Sequence, residues 1–117
     1  MSIRPRFASA ILSGEKRYEF RRRIFIQPVK VVVVYATVPI RRVVAEFEVR
    51  AVISGAPGTL WRRTRRFAGI ERKLFFKYFR GAKVGHAIEI GDVKSYEIPY
   101  CPIERLGIKP PQSFVYL

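Results

Sequence analysis

The segment from Arg42 to Ser54 constrains the fold more than any other stretch, because every second residue from Val43 to Ile53 is apolar and most of the residues between them are polar. Its apolar positions recur at every second residue, which is the period of a β-strand rather than of a helix. One face of this strand is therefore expected to meet a core. The other face carries Glu46 and Glu48, which are available for surface pairing or for a site.

Several other stretches have strand-like patterns of the same kind. Further strands are predicted around Ile3 and over 18–24, Val29–Thr37, 83–90 and 93–98, with a closing strand at 113–117. The β-branched run Val29–Thr37 predicts a strand that is buried on both faces. Gly91 and Asp92 are predicted to form the turn between the two later strands, and a short turn is expected around Glu104.

Three helices are predicted between these strands. Pro5 suits the first turn of the first helix and Gly14 suits its end. The second helix is expected over Thr59–Phe67, which carries Leu60, Trp61 and Thr64 among four arginines. The third is expected over 71–80, where apolar and aromatic residues recur at helical spacing. Sequential strands with few crossover helices favour an antiparallel or mixed sheet. We therefore expect one α+β domain over 1–117, a small closed β-barrel with the helices packed at its side.

The charge of the chain is strongly positive, with 23 Lys and Arg against 9 Asp and Glu and a net charge of +14. Such an excess of one sign favours polyanions. Nucleic acid is the leading partner, and an anionic membrane surface or a basic bias of the source organism are the alternatives. The chain contains no Asn and a single Met, which is typical of a heat-adapted source, so part of the Arg content is expected to serve stability.

The residue inventory excludes several classes of protein. No run approaches the roughly 18 apolar residues of a membrane helix, so we expect no membrane association and a cytoplasmic location. Cys101 and His86 are the single cysteine and the single histidine. Thiolate clusters and most histidine-based metal sites are therefore excluded, and His86 is predicted to be a strand or core residue. No metal and no cofactor are expected.

The most charged cluster of the chain follows Gly14, where the helical period changes to a period of two. Glu19, Arg21 and Arg23 are predicted to share one strand face, while the aromatic positions between them face the core. The charged face should then line a surface or a groove. Lys16 precedes the strand, in the turn, so its direction does not follow from the pattern.

The eight residues from Gly14 to Arg21 read Gly-Glu-Lys-Arg-Tyr-Glu-Phe-Arg and match the signature Gly-x-Lys-x-x-Glu-x-Arg. In this motif and in the order of its predicted elements the chain resembles the ASCH domains, which belong to the PUA-like superfamily of small β-barrels. The resemblance spans essentially the whole chain, including Pro110–Phe114. It implies recognition of RNA or a nucleotide in a cleft between barrel and helices, in RNA processing, translation or transcription regulation.

Carried over by position, the resemblance implies that Lys16, Glu19 and Arg21 line the cleft, with Thr37 as a weaker addition. The lysine ammonium suits a phosphate, and the arginine fork suits a phosphate or a base edge. Two arginines on the basic flank of the second helix are further candidates for binding nucleic acid. Two aromatic side chains would either stack on a base or belong to the core. The four residues are Arg62, Arg63, Trp61 and Tyr35.

Other interpretations of the motif residues are open. Lys16, Glu19 and Arg21 would also suit a purely structural ion-pair network. Some ASCH relatives are hydrolases, so a ribonuclease or an amidohydrolase on a modified nucleoside, using Lys16 and Glu19, is the alternative. Glu19 stands where the amidohydrolases have a threonine, and residues 59–69 contain no carboxylate. An interaction domain for an acidic protein is a third hypothesis. We expect a monomer or a weak dimer that binds RNA or single-stranded nucleic acid.

Overall fold

The computed structural model describes residues 1–103 and 107, and within this part of the chain it contains five strands and three α-helices. The elements in chain order are β1 (Ser2–Ile3), α1 (Pro5–Ser13), β2 (Tyr18–Arg21), β3 (Val31–Ala36), β4 (Arg42–Gly55), α2 (Pro57–Thr64), α3 (Arg72–Tyr78) and β5 (Gly85–Tyr100). A short 3₁₀ turn, Arg65–Phe67, follows α2. The expected α+β composition, with a helix near the start and a helical pair midway, is confirmed.

The five strands form one mixed sheet in the order β1-β3-β4-β5-β2. The short strand β1 runs parallel to β3, and every other neighbouring pair is antiparallel. The predicted alternation of β4 is confirmed in its first half, where Val43, Ala45 and Phe47 are buried. Register shifts against β5 then change which residues face the core, so that Ala51 is exposed.

The predicted turn at Gly91 and Asp92 is wrong, because both residues lie inside the single long strand β5. In the ladder with β4, Phe47 pairs with Val93 and the next pair joins Val49 to Ile90. Two residues of β5 therefore oppose one residue of β4, which is the geometry of a β-bulge. A side chain at Gly91 would bring its Cβ to 3.2 Å from that of Glu48, so the glycine permits close strand contact here.

The prediction that β3 is buried on both faces is also wrong. Val32, Val34 and Ala36 are buried, whereas the alternate residues are only partly covered and Val31 is 43% exposed. An antiparallel sheet commonly packs one face on a core and leaves the other partly solvated. A continuous β-branched run therefore does not distinguish a strand with one buried face from a strand with two.

Two clusters of buried residues hold the fold together. The first joins α1 to the sheet and includes Ile11, Val34 and Phe47. The second lies beneath α2 and α3, and its aromatic centre is Phe20 on β2 with Phe75 and Phe79. The ring centroids of Phe20 and Phe75 lie 4.9 Å apart in an edge-to-face arrangement. The expectation that the aromatic face of β2 enters a core is therefore confirmed.

Among the described residues the sheet is open rather than closed into the expected barrel, with β1 and β2 at its two ends. The gap between these two edge strands, here called the seam, is bridged by a side chain, because Arg21 Nη2 donates to the Ser2 carbonyl at 2.8 Å. The turn expected at Glu104 and the closing strand at 113–117 lie outside the described residues. Within the described part of the chain, no helix is long and apolar enough to span a membrane.

Candidate functional site

A cavity of about 590 Å³ lies at the seam and is lined by residues from five segments of the chain. Its walls come from β1, the start of α1, the segment from Lys16 through β2, the residue after β3, and α3 with the loop before it. Lys16, Glu19, Arg21 and Thr37 all line it. The structure thus brings together the three signature residues and Thr37, the weaker addition that the resemblance implied, and we call this space the seam cavity.

Lys16 is held in the wall of the seam cavity by its backbone and by its side chain. Its backbone N–H donates to the Ala10 carbonyl of α1 at 3.0 Å. Its Nζ donates to the Ala68 carbonyl at 2.6 Å and lies 5.1 Å and 4.8 Å from the ring centroids of Phe7 and Phe20. With 2% of its surface exposed, Lys16 is a buried cation held by one carbonyl and two aromatic faces.

Burial lowers the pKa of Lys16 from 10.5 to about 8, because the charged ammonium loses its hydration. The carboxylate of Glu19 acts in the opposite direction and the guanidinium of Arg21 lowers the pKa further. A lysine with a pKa near 8 has a small but usable neutral fraction at neutral pH. Such an amine can accept a proton, which an ordinary surface lysine at that pH does not do.

The loop that follows the 3₁₀ turn packs closely against Lys16. Gly69 has a φ of 65°, a conformation that residues with a Cβ rarely adopt. A Cβ added at Gly69 would also collide with Cβ and Cγ of Lys16. Beside it, the Arg17 backbone N–H donates to the Phe67 carbonyl at 2.8 Å. The loop between α2 and α3 therefore contacts the motif segment through a backbone hydrogen bond and through close packing at Gly69.

Glu19 and Arg21 form a buried ion pair, with Glu19 Oε2 and Arg21 Nη2 2.9 Å apart. The two residues are 7% and 8% exposed. In the part of the chain that the structure describes, Arg21 Nε is buried without a hydrogen-bond partner. Glu19 and Arg21 are therefore paired with each other, whereas Lys16 bonds to a backbone carbonyl.

The remaining predicted residues lie away from the seam cavity. Arg62 and Arg63 are exposed on α2 and do not line it. Trp61 packs against Phe75 with their centroids 5.0 Å apart, and Tyr35 lies within β3. Neither aromatic residue is in the cavity wall. Arg23 is exposed beyond the end of β2.

The structure adds cavity residues that the pattern assigned to other roles. Phe7 of α1 and Tyr78 of α3, two residues of predicted helices, also line the cavity. Burial raises the pKa of the Tyr78 hydroxyl, which favours its protonated form. Arg4 and Lys77 line the same space and are exposed, so they place positive charge around it. An apolar helical stripe in the sequence does not indicate which of its members border a cavity.

A hydrogen bond between polar side chains of the sheet lies outside the cavity wall. Ser54 Oγ and His86 Nδ1 are 2.7 Å apart on paired positions of β4 and β5, and burial lowers the pKa of His86. Within residues 1–103 and 107, no group of three His, Cys, Asp or Glu residues is arranged to hold a metal ion.

The chain is similar over its full length to several known proteins. It is 32% identical over 121 residues to an ASCH domain-containing ribonuclease from Zymomonas mobilis, and the match covers 82% of that protein. It is 30% identical over 118 residues to the large ribosomal subunit protein uL22 from Ureaplasma parvum, which is 38% of that longer chain. No family model matches the chain.

The fold agrees with this relationship. The crystal structure of ASCH from Zymomonas mobilis superposes with a TM-score of 0.90 at 33% identity, covering 100% of this chain and 85% of that one. A full-length match at this identity, together with the motif residues gathered at one cavity, supports an RNA-related function. The chain belongs to the ASCH domain family.

Proposed function

We propose that this protein is a ribonuclease that binds RNA at the seam cavity and cleaves its backbone there. The observation that carries the proposal is Lys16, a buried amine with a pKa of about 8 in the wall of an open cavity. The similarity to the ribonuclease of Zymomonas mobilis supports it, as does the net charge of +14, which attracts RNA.

The proposed reaction is an internal transesterification of RNA. Neutral Lys16 Nζ accepts the proton of a ribose 2′-hydroxyl, and the 2′-oxygen attacks the adjacent phosphorus. The bond from phosphorus to the 5′-oxygen breaks, and that oxygen takes a proton from water. The ammonium formed at Lys16 and the exposed cations Arg4 and Lys77 then face the negative charge of the phosphate. The products are a 2′,3′-cyclic phosphate and a 5′-hydroxyl.

Binding without cleavage is the second candidate function, in line with the RNA-binding role of PUA-like domains. The buried Glu19–Arg21 pair favours binding, because its remaining donors and acceptors can form hydrogen bonds to a ligand. A binding module of this kind would serve RNA processing, translation or transcription regulation. The amidohydrolase alternative stays a prediction that acylated nucleosides would test.

The test is cleavage of a labelled single-stranded oligoribonucleotide by the wild type, by Lys16→Met and by the control Lys30→Met, which removes an exposed lysine. We expect cleavage by the wild type and by Lys30→Met, and a loss of at least about a hundredfold for Lys16→Met, the lower end of what general bases contribute. The wild-type rate should rise with pH and level off above about 8 as Lys16 loses its proton.

The substrate itself gives further controls. Replacing the 2′-hydroxyl at the cleavage site by hydrogen should block cleavage but preserve binding, since the nucleophile is lost while the phosphates stay. Because the reaction uses side chains alone, we expect it to persist in EDTA. Binding by wild type and Lys16→Met without any cleavage would support the second candidate. Products ending in a 3′-hydroxyl and a 5′-phosphate would contradict the transesterification.

A further inference from the structure

We infer that the Glu19–Arg21 wall of the seam cavity is a base-reading site that selects guanine. This inference rests on the proposed function, since it names the part of an RNA substrate that the cavity takes up. Glu19 and Arg21 are each more than nine-tenths buried, and both line a space of about 590 Å³. A buried ion pair beside an open space is costly to maintain unless its remaining polar atoms are used.

The first step concerns the hydrogen-bonding capacity left on the pair. Glu19 Oε2 is bonded to Arg21 Nη2, and the same Nη2 donates to the Ser2 carbonyl. A carboxylate has about four acceptor sites and a guanidinium has five N–H donors. Within the described residues, these bonds leave acceptor capacity on Glu19 and the Nη1 donors on Arg21, while Arg21 Nε is buried without a partner. A guest that complements the pair must offer donors to Glu19 and an acceptor to Arg21.

The second step concerns charge. The Glu19–Arg21 pair has no net charge, and a phosphate placed against it would be repelled by the carboxylate. Among the described residues, the cavity cations without a carboxylate partner are Lys16, which bonds to a carbonyl, and the exposed Arg4 and Lys77. Phosphates are therefore expected beside these three cations. The pair itself is left for the neutral part of a nucleotide, which is the base.

The third step is the match between the pair and the edge of the base. Guanine presents two adjacent N–H donors, at N1 and N2, next to a carbonyl acceptor, O6. Adenine and cytosine turn a ring-nitrogen lone pair toward the carboxylate, and uracil has one N–H donor between two carbonyls. Only guanine offers two donors to Glu19 and an acceptor to Arg21 on one edge. Phe7 and Tyr78 in the same walls supply aromatic surface for the ring.

The experiment is displacement of a fluorescent oligoribonucleotide by the 5′-monophosphates of guanosine, adenosine, cytidine, uridine and inosine at one fixed salt concentration. We expect guanosine monophosphate to compete at least about tenfold better than the other standard nucleotides. Inosine monophosphate lacks only the N2 amino group, so it should lose most of that advantage. This comparison uses the wild type and does not depend on a variant that folds.

Glu19→Gln, compared with Glu15→Gln, tests the residue. Both remove one negative charge, but Glu15 is exposed and outside the cavity wall. We expect the guanine preference to fall below about threefold in Glu19→Gln and to stay unchanged in Glu15→Gln. RNA binding with all five monophosphates within about threefold of each other would overturn the guanine site and leave the proposed function standing. Absence of RNA binding and of cleavage would overturn both.

Discussion

Burial disfavours the charged form of Lys16, so the stability of the fold should depend on pH. The pKa of Lys16 is about 8 in the folded protein against 10.5 for an ordinary lysine. Between these two values the unfolded chain binds the proton and the folded chain does not. The free energy of unfolding should therefore rise as the pH increases through this window, and the gain is absent below pH 8.

The corresponding prediction compares wild type with Lys16→Met. From pH 8 to 10.5, the free energy of unfolding of the wild type should gain about 3 kcal/mol relative to the variant, since one pKa unit corresponds to about 1.4 kcal/mol. Denaturant unfolding followed by circular dichroism at several pH values measures it. Lys30→Met should follow the wild type, because Lys30 is exposed. Parallel curves for wild type and Lys16→Met would contradict the lowered pKa.

Gly69 allows the loop to lie against Lys16, so we expect Gly69→Ala to be destabilising and to reduce cleavage. The positive φ alone should cost roughly 1–2 kcal/mol, and the collision with Lys16 should add to this. The control is Gly14→Ala, which has a φ of 85° and no atom within 4 Å of its added Cβ. It should lose stability through strain alone and keep its activity. Equal stability losses and equal activities in the two variants would argue against a role for the loop in placing Lys16.

At the scale of elements, Arg22, which follows β2, forms hydrogen bonds with the C-terminal end of α3. Arg22 Nη1 donates to the carbonyls of Tyr78 and Arg80 at 2.9 Å and 3.0 Å, and the Arg22 backbone N–H donates to the Tyr78 hydroxyl at 3.2 Å. The last carbonyls of a helix have no partner within the helix, and a basic side chain commonly satisfies them. This contact holds α3, and with it Tyr78, against the edge of the seam cavity.

We expect Arg22→Ala to lower the free energy of unfolding by about 1–2 kcal/mol, since two hydrogen bonds from a charged group are lost at an exposed position. The matched control is Arg23→Ala, which removes the same charge from the next residue, exposed beyond β2. It should change stability by less than about 0.5 kcal/mol. Thermal and denaturant unfolding of both variants would measure the difference, and equal losses would contradict the role of Arg22 in holding α3.

At the scale of the whole molecule, a net charge of +14 makes affinity for RNA dependent on salt. Arg62 and Arg63 lie outside the cavity wall, so we expect them to contact phosphates that flank the bound segment. Each phosphate contact on single-stranded RNA contributes about 0.7 to the slope of log affinity against log salt. Replacing both residues by Gln should therefore reduce that slope by about 1.4 while the cleavage rate of bound RNA stays the same.

The control for this prediction is a double substitution of Lys30 and Arg50 by Gln, which removes the same charge from exposed positions outside the cavity wall. Filter binding between low and moderate salt measures both slopes. A smaller loss of slope in the control would support a phosphate track on α2. Equal losses would mean that the positive charge acts as a diffuse field, and unchanged slopes in both would contradict phosphate contacts at either position.

The sequence alone determined the features that depend on local chemistry. The signature around Lys16 predicted the family, and it placed Lys16, Glu19 and Arg21 in one cleft, which is consistent with their position in the wall of the seam cavity. The ends of α1 at Pro5 and Gly14 followed from the restricted φ of proline and the permissive backbone of glycine. The core position of Phe20 followed from the period of two, because alternate residues of a strand face opposite sides.

The tertiary structure decided everything that depends on which segments pair. The glycine at position 91 indicates a turn or a bulge equally well, and only pairing with β4 selects the bulge. The closed barrel stays a prediction, because the strand order among the described residues leaves β1 and β2 at the two ends of an open sheet. The pKa of Lys16 is lowered by burial, and the residues that bury it come from distant parts of the chain, including Ala68, 52 residues away. Desolvation is a property of three-dimensional packing, so no local pattern could have revealed it.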